Sequence, residues 1–265
     1  MDNEDLQSRV DNGVAILTLN RPSRMNALTK EMIAGLGGLL AGFAADPAIG
    51  CVVITGAGKA FCSGGDVQVQ ARTAGRNDQS PEQRADSLRA GMTAAQILHD
   101  MPKPTIAKVN GVAAGAGMSL ALACDIRIVA ETARMTTAFA KVGLSGDYGG
   151  SYFLTRLVGP SRARELYLTA ELLDSKRIDA LGLASRVVPD TDLAAETMAL
   201  ANRFASGPAV AYRYIKRNMK VAEEGTLSDV LDSEAFGMLR TRETADHAEA
   251  AQAFVEKRAP VFKGR

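Results

Sequence analysis

The chain has no tryptophan, two histidines and three cysteines in 265 residues, and its aromatics amount to 5%. Each shortage removes a class of function. Proteins that stack nucleic-acid bases rely on aromatic platforms, and a net charge of +1 offers phosphate no electrostatic attraction. Cys51, Cys62 and Cys124 are odd in number and far apart, which argues against a disulfide framework and fits a cytoplasmic protein. His99 and His247 stand in no cluster of histidine, cysteine and carboxylate, so no metal site is expected. His99, beside DMPKP, reads as a surface residue. No apolar run reaches the ~20 residues of a membrane span, and the acidic opening MDNEDLQSRV is unlike a signal peptide.

What the chain does have is apolar residues, 46% of the total, enough for a sizeable core. GVAILTLN (13–20) alternates like a half-buried strand, and residues 29–45 read as a helix capped by Thr29 and ended by Asp46-Pro47. CVVIT (51–55) is a continuous apolar strand of the kind covered on both faces. After a polar loop at 72–84 and a helical stretch to His99, the order repeats. TIAKVNG is a strand, AAGAGMSLALACD a helix opened by glycines, and IRIVAE a strand. Such alternation predicts an α/β fold. From about Gly159 the pattern is almost wholly helical.

Two glycine-rich stretches invite a phosphate-binding reading, and both fail it. TGAGKAFCSGGDV (55–67) lacks the spacing of a Walker loop, and GAGMSL (115–120) supplies only the first two glycines of a dinucleotide fingerprint. Small residues where a strand hands over to a helix let a ligand approach the backbone, and a helix start presents unpaired N–H groups. From the glycines alone, tight turns and a pair of facing amide donors around Gly65 and Ala116 both remain open. A third stretch, GLSGDYGG (143–150), carries one charge, Asp147, which is either a cap for the helix starting near Gly149 or a proton-handling group.

Five ordered segments carry a resemblance along nearly the whole chain: LNRPSRMNAL, VVITGAGKAFCSGGDV, KPTIAKVNGVAAGAGMSLALACDIRIVAE, FAKVGLSGDYGGSYFLTRLVG and AFVEKRAPVF. Together they resemble the crotonase, or enoyl-CoA hydratase/isomerase, superfamily. The resemblance implies a ββα superhelix over about residues 1–200, with a C-terminal helical region over about 201–265 that builds trimers or dimers of trimers. It implies an acyl-CoA thioester as substrate, with no cofactor beyond the coenzyme A the substrate carries. The family's oxyanion donors match the backbone N–H groups of Gly65 and Ala116, provided that the backbone angles at 116 suit alanine. Its CoA-cradling positions match Arg24, Met25, Ala27, Ser63 and Val67. Lys257 matches a lysine that reaches CoA from a neighbouring subunit, although by residue type it equally fits a solvated helix end.

The chain also departs from the pattern. The two glutamates of the hydratases resembled here fall on Ser119 and Phe139, neither of which is a carboxylate base. Ser119 then reads as a small helix residue and Phe139 as part of an apolar pocket. Asp147 stands where hydratases usually have glycine, and an aspartate similar to it is catalytic in dienoyl-CoA and ring-epoxide isomerases. The leading expectation is an acyl-CoA isomerase that shuttles one proton through Asp147. Hydration, with water held by Asp147 and Ser119, is the second. Aryl-CoA dehalogenation is disfavoured, because the tryptophan and histidine it resembles are replaced by Phe139 and Met92. A non-catalytic acyl-CoA-binding subunit is the remaining alternative.

Overall fold

A computed structural model describes residues 4–66 and 79–264. Its first elements are β1 (Leu6–Asp11) and β2 (Val14–Leu19), an antiparallel pair joined at Asn12-Gly13. Both turn residues have positive φ, +48° and +78°, as a two-residue hairpin requires. The helix α1 (Lys30–Ala45) follows; Thr29 Oγ1 accepts from the Met32 N–H at 3.1 Å, capping it as expected. Its buried residues Met32, Leu36, Leu40 and Phe43 recur at helical spacing and form one face. The next strand, β3 (Cys51–Gly56), is buried at every position, as its unbroken apolar run predicts. In β2 the expectation of a half-buried strand fails: all its residues but one are buried, because β2 lies between β1 and β3 and is covered on both faces.

The chain then repeats one unit. A strand in a large sheet is followed by a short strand in a small sheet and then by helix. β3 is followed by β4 (Ala60–Cys62), then α2 (Pro81–Gly91) and α3 (Thr93–Asp100). The next unit is β5 (Thr105–Val109), β6 (Val112–Ala114) and α4 (Ala116–Ala123), and the third is β7 (Ile126–Ala130), β8 (Arg134–Thr136) and α5 (Gly150–Thr169). The polar stretch read as a loop at 72–84 lies outside the described residues up to 78. Its end is helical, with Ser80 and Gln83 forming a capping box for α2.

After α5, the near-continuous helix read from the sequence is interrupted. β9 (Leu173–Asp174) and β10 (Arg186–Val188) flank the short helix α6 (Ser175–Ala180). They complete a large sheet of order β1-β2-β3-β5-β7-β10 and a small one of order β4-β6-β8-β9. Strands of two or three residues carry too little pattern to announce themselves. Helix α5 is itself broken at Gly159 (φ +77°) before Pro160. Helix α7 (Leu193–Ala205) packs on β3, β5 and β7. The chain ends in α8 (Ala209–Glu224), α9 (Leu227–Arg242) and α10 (Ala245–Glu256). Leu227, Leu231, Phe236, Met238, Leu239, Phe254 and Val255 are exposed there.

Candidate active site

The small sheet positions the site. β4 pairs with β6 and β6 with β8, all parallel, so three successive strands end on the same side. The chain leaves β4 through Ser63–Gly65, β6 through Gly115–Ala116, and β8 through Thr137–Phe139 towards Asp147. Loops from sequence positions as far apart as Ser63 and Phe139 are thereby gathered at one sheet edge.

The first two loops face one another at close range. Gly64 has φ +91°, and a β-carbon built on it would stand 2.9 Å from the Ala114 carbonyl oxygen and 3.4 Å from the Ala116 nitrogen. In the turn before α4 the unusual backbone falls on Gly115 (φ +53°, ψ −125°), and Ala116 is not among the positive-φ residues. Alanine is therefore tolerated at the first helical position, where the N–H has no acceptor within its own helix. A β-carbon at Gly117 would collide with the Cys62 carbonyl, so α4 is seated directly on β4. Leu28 bridges to Gly65 in parallel fashion through its N–H bond to the Gly64 carbonyl, 2.8 Å. That pairing consumes the Gly64 oxygen and leaves the Gly65 N–H directed to the other side.

The segment 24–28 is laced to the same turn. The Ser63 N–H donates to the Met25 carbonyl (2.9 Å), and the Ser63 hydroxyl lies 3.5 Å from the Arg24 carbonyl. Met25 takes φ +49° and is exposed, whereas Ala27 is buried. Arg24, Met25, Ala27 and Ser63 thus come together beside Gly65. Val67 lies outside the described residues.

Asp147 does not cap α5. The residue at the N-cap is Gly149, with no side-chain bond, and only the Asp147 main-chain carbonyl takes part in the turn, accepting from the Gly150 N–H at 3.1 Å. The carboxylate Oδ1 is buried without a hydrogen-bond partner among the described residues. Burial pushes its pKa from the ordinary 3.8 up to about 6. Its charge raises the pKa of the Cys62 thiol on β4, of the Tyr148 phenol beside it and of the Tyr167 phenol on α5. Desolvation holds the Cys62 thiol up at about 12, so this cysteine is a protonated neighbour rather than a nucleophile.

A half-buried carboxyl poised near neutrality, close to a pair of turns that offer main-chain amides, is equipped to move protons beside a polarised carbonyl. The enoyl-CoA hydratase/isomerase family matches residues 9–265. The chain belongs to that family. Among its relatives is the 1,2-epoxyphenylacetyl-CoA isomerase of Escherichia coli K12, 37% identical over 269 residues that cover 99% of each chain. Another is the crotonyl-CoA hydratase of Syntrophomonas wolfei, 33% identical over 255 residues and 94% of each chain. The crystal structure of an enoyl-CoA hydratase from Polaromonas sp. JS666 superposes with a TM-score of 0.90 at 34% identity, covering 97% of this chain and 99% of that one.

The two positions where hydratases of the family resembled here carry glutamate are occupied differently. Ser119 is fully enclosed in α4; its hydroxyl donates to the Gly115 carbonyl at 3.2 Å. A β-carbon on Gly150 would collide with that hydroxyl, so the start of α5 covers it. Phe139 is buried, with its ring stacked on Tyr167 at 6.0 Å between centroids and nearly parallel, and it lines the turn at Gly115. Lys257 ends α10 in the left-handed conformation (φ +55°) and is exposed. Within one chain, the described contacts do not bring it to Asp147.

Three residues escaped the sequence reading. Asn26 is completely buried at φ +56°; its Nδ2 donates to the Ala57 and Ala60 carbonyls (2.9 and 2.7 Å), and its Oδ1 accepts from the Arg21 N–H (2.8 Å). Asn110 reinforces the same hairpin, donating to Gly58 and Ala60 carbonyls at 2.9 and 3.1 Å. Both amides fix the path from β3 into β4 and so the place of Gly65. An asparagine beside a glycine-rich hairpin was the available signal. The third is His99, which is not the surface residue expected. Its Nε2 is buried without a hydrogen bond, 3.7 Å from a Glu223 oxygen, and its ring packs on Tyr152 and Phe153. Helix α8 lies over it, anchored by Lys220 to Asp100 at 2.6 Å, a contact across 120 residues that local sequence does not reveal.

Proposed function

We propose that the protein is an acyl-CoA isomerase that polarises its thioester through the Gly65 and Ala116 amides and relocates a proton with Asp147. The observation that carries this reading is the half-buried Asp147 carboxyl, whose Oδ1 is enclosed without a hydrogen-bond partner among the described residues, with serine and phenylalanine standing at the two glutamate positions. A thioester oxygen accepting from both amides acidifies the adjacent C–H, each fixed donor contributing about 3–4 kcal/mol as negative charge develops. The proton then passes from one carbon to Asp147 as its electron pair delocalises into the enolate. The same carboxyl returns it to another carbon. Atoms and charge balance with no water consumed.

Arg24, Met25, Ala27 and Ser63, with Val67, form the proposed cradle for CoA. The exposed apolar residues of α9 and α10 are the proposed contact between copies in a trimer or dimer of trimers, from which Lys257 would reach a neighbour's CoA. Hydration is the second reading, favoured by the relatives named as hydratases. Against it, Ser119 is covered and already bonded, which leaves Asp147 without a partner to hold water. The test is deuterium uptake and product mass for 2-enoyl- and 3-enoyl-CoA esters. Double-bond migration without mass gain, lost in Asp147→Asn, supports isomerisation. Rapid conversion of crotonyl-CoA to its 3-hydroxy product supports hydration instead.

A further inference from the structure

Tyr167 belongs to the second half of α5, yet its hydroxyl returns to the first residue of that helix: a β-carbon on Gly150 would stand 2.5 Å from it. In a straight helix the two positions would be about 25 Å apart. The break at Gly159 folds the second half back and brings them together. The same ring reaches Gly146, where a β-carbon would stand 3.2 Å from its edge. The loop that carries Asp147 is therefore seated on Tyr167 on both sides of the carboxylate.

A second contact runs from Tyr167 to the other turn of the site. Phe139 stacks on its ring at 6.0 Å with an interplanar angle of 6°. The Phe139 ring in turn lies 3.6 Å from where a β-carbon on Gly115 would stand, at the turn that presents the Ala116 N–H. Hydrogen bonds fix this arrangement independently of the rings. The Gly115 N–H donates to the Thr136 carbonyl at 3.1 Å, the Thr136 hydroxyl to the Ala170 carbonyl at 3.2 Å, and the Thr137 hydroxyl to the Leu166 carbonyl at 2.9 Å. The end of α5 that bears Tyr167 is thus tied to β8, and β8 to the Gly115 turn. The gap the two rings share with Met118, Ser119 and Leu154 leaves no room for a water molecule. Packing so close transmits position from one turn to the other.

From this geometry we infer that Phe139 and Tyr167 are positioning residues: their stacked rings form a spacer that sets the Asp147 loop at a fixed distance from the Ala116 amide. The inference rests on the proposed isomerase reading, in which those two groups act on one substrate. Neither ring donates or accepts a proton; both act through the loop. Phe139, at one of the two glutamate positions, is the base of the spacer, and Ser119, at the other, meets Gly150 beside the Tyr167 hydroxyl. Among the described residues, the groups whose titration responds to Asp147 are the Cys62 thiol of β4 and the Tyr148 and Tyr167 phenols, all held protonated by burial. With no charged partner acting on it, the carboxyl reports its own desolvation, which lasts only while the loop stays seated.

The test compares Tyr167→Ala, Tyr167→Phe and Phe139→Leu in the full-length protein, with melting temperatures recorded. The Asp147 carboxyl is titrated by carbon-13 NMR with labelled aspartate, its signal assigned by its loss in Asp147→Asn. Tyr167→Ala admits water to the loop, so the midpoint should fall from about 6 towards the ordinary 3.8, whereas Tyr167→Phe keeps the ring and should hold it. For proton exchange on a 3-enoyl-CoA ester, Tyr167→Ala should lower kcat about 100-fold, the cost of a small misplacement, and change ester affinity by less than about threefold. Tyr167→Phe should rescue kcat. Phe139→Leu shortens the spacer from its other end and should move both readouts as Tyr167→Ala does; it decides the question if Tyr167→Ala fails to fold. A midpoint unmoved in either folded variant overturns the spacer. So does a defect as large in Tyr167→Phe, or rate and affinity lost together. Exchange surviving in Asp147→Asn overturns the proton-transfer reading alone, because the carboxyl titration tests the spacer without it.

Discussion

Gly64 and Ala116, which belong to different turns of the superhelix, approach so closely that a β-carbon on the first would lie 3.4 Å from the amide nitrogen of the second. The gap between these two turns is where a thioester oxygen is expected to rest. It exists because parallel pairing of β4 with β6 brings both strand ends to one side.

Gly64→Ala should therefore injure catalysis more than folding. The new methyl would meet the Ala114 carbonyl oxygen at 2.9 Å and be held at φ +91°. Relief of that contact displaces the Gly65 amide. The expected result is a fall in kcat/KM of about 100- to 1000-fold, the range for loss of one oxyanion donor, with acyl-CoA still bound. Steady-state kinetics with parallel calorimetry reads both.

A rate profile should report Asp147. Its carboxyl, raised to about 6 by burial, must be ionised to accept a proton from carbon. The kcat/KM for isomerisation should rise with pH up to about 6 and level off above it, since this parameter reports the free enzyme. A profile without an inflection between pH 5 and 7 would remove Asp147 as the base.

Stability should move the opposite way. With a folded pKa above the ordinary 3.8, the native state holds this proton more tightly than the unfolded chain does. The contribution is fully present below about pH 3.8, is lost as pH rises through about 6, and leaves a buried charge uncompensated above that. Asp147→Asn should be more stable than the natural chain at pH 8, by no more than about 2–3 kcal/mol given partial solvent access. The advantage should vanish near pH 4. Chemical denaturation at the two pH values measures it.

Asn26→Ala tests the hairpin that carries Gly65. It removes the donor shared by the Ala57 and Ala60 carbonyls and the acceptor for the Arg21 N–H, all at a fully buried site. Alanine also suits φ +56° less well than asparagine. A loss of about 2–4 kcal/mol is expected, read as a melting temperature lower by several degrees. An unchanged melting temperature would show that Asn26 is not the clasp described.

Much of this was legible along the chain. The spacing of Met32, Leu36, Leu40 and Phe43, the cap at Thr29 and the unbroken apolar run at Cys51–Gly56 are local patterns, and local sterics and burial turn them into α1 and β3. The ordered segments around Gly65, Ala116 and Asp147 marked the family. Tertiary structure decided the rest, since it depends on groups brought together from distant positions. Whether the Asp147 side chain caps its own helix or turns an unpaired oxygen inward depends on packing that its local sequence does not set. His99 is covered only because α8 returns over it. The short strands β9 and β10 hold their conformation by pairing with β8 and β7. A residue's own neighbours in sequence set its backbone preference, whereas dielectric surroundings and hydrogen-bond partners, which give a carboxylate its chemistry, are set by residues far along the chain.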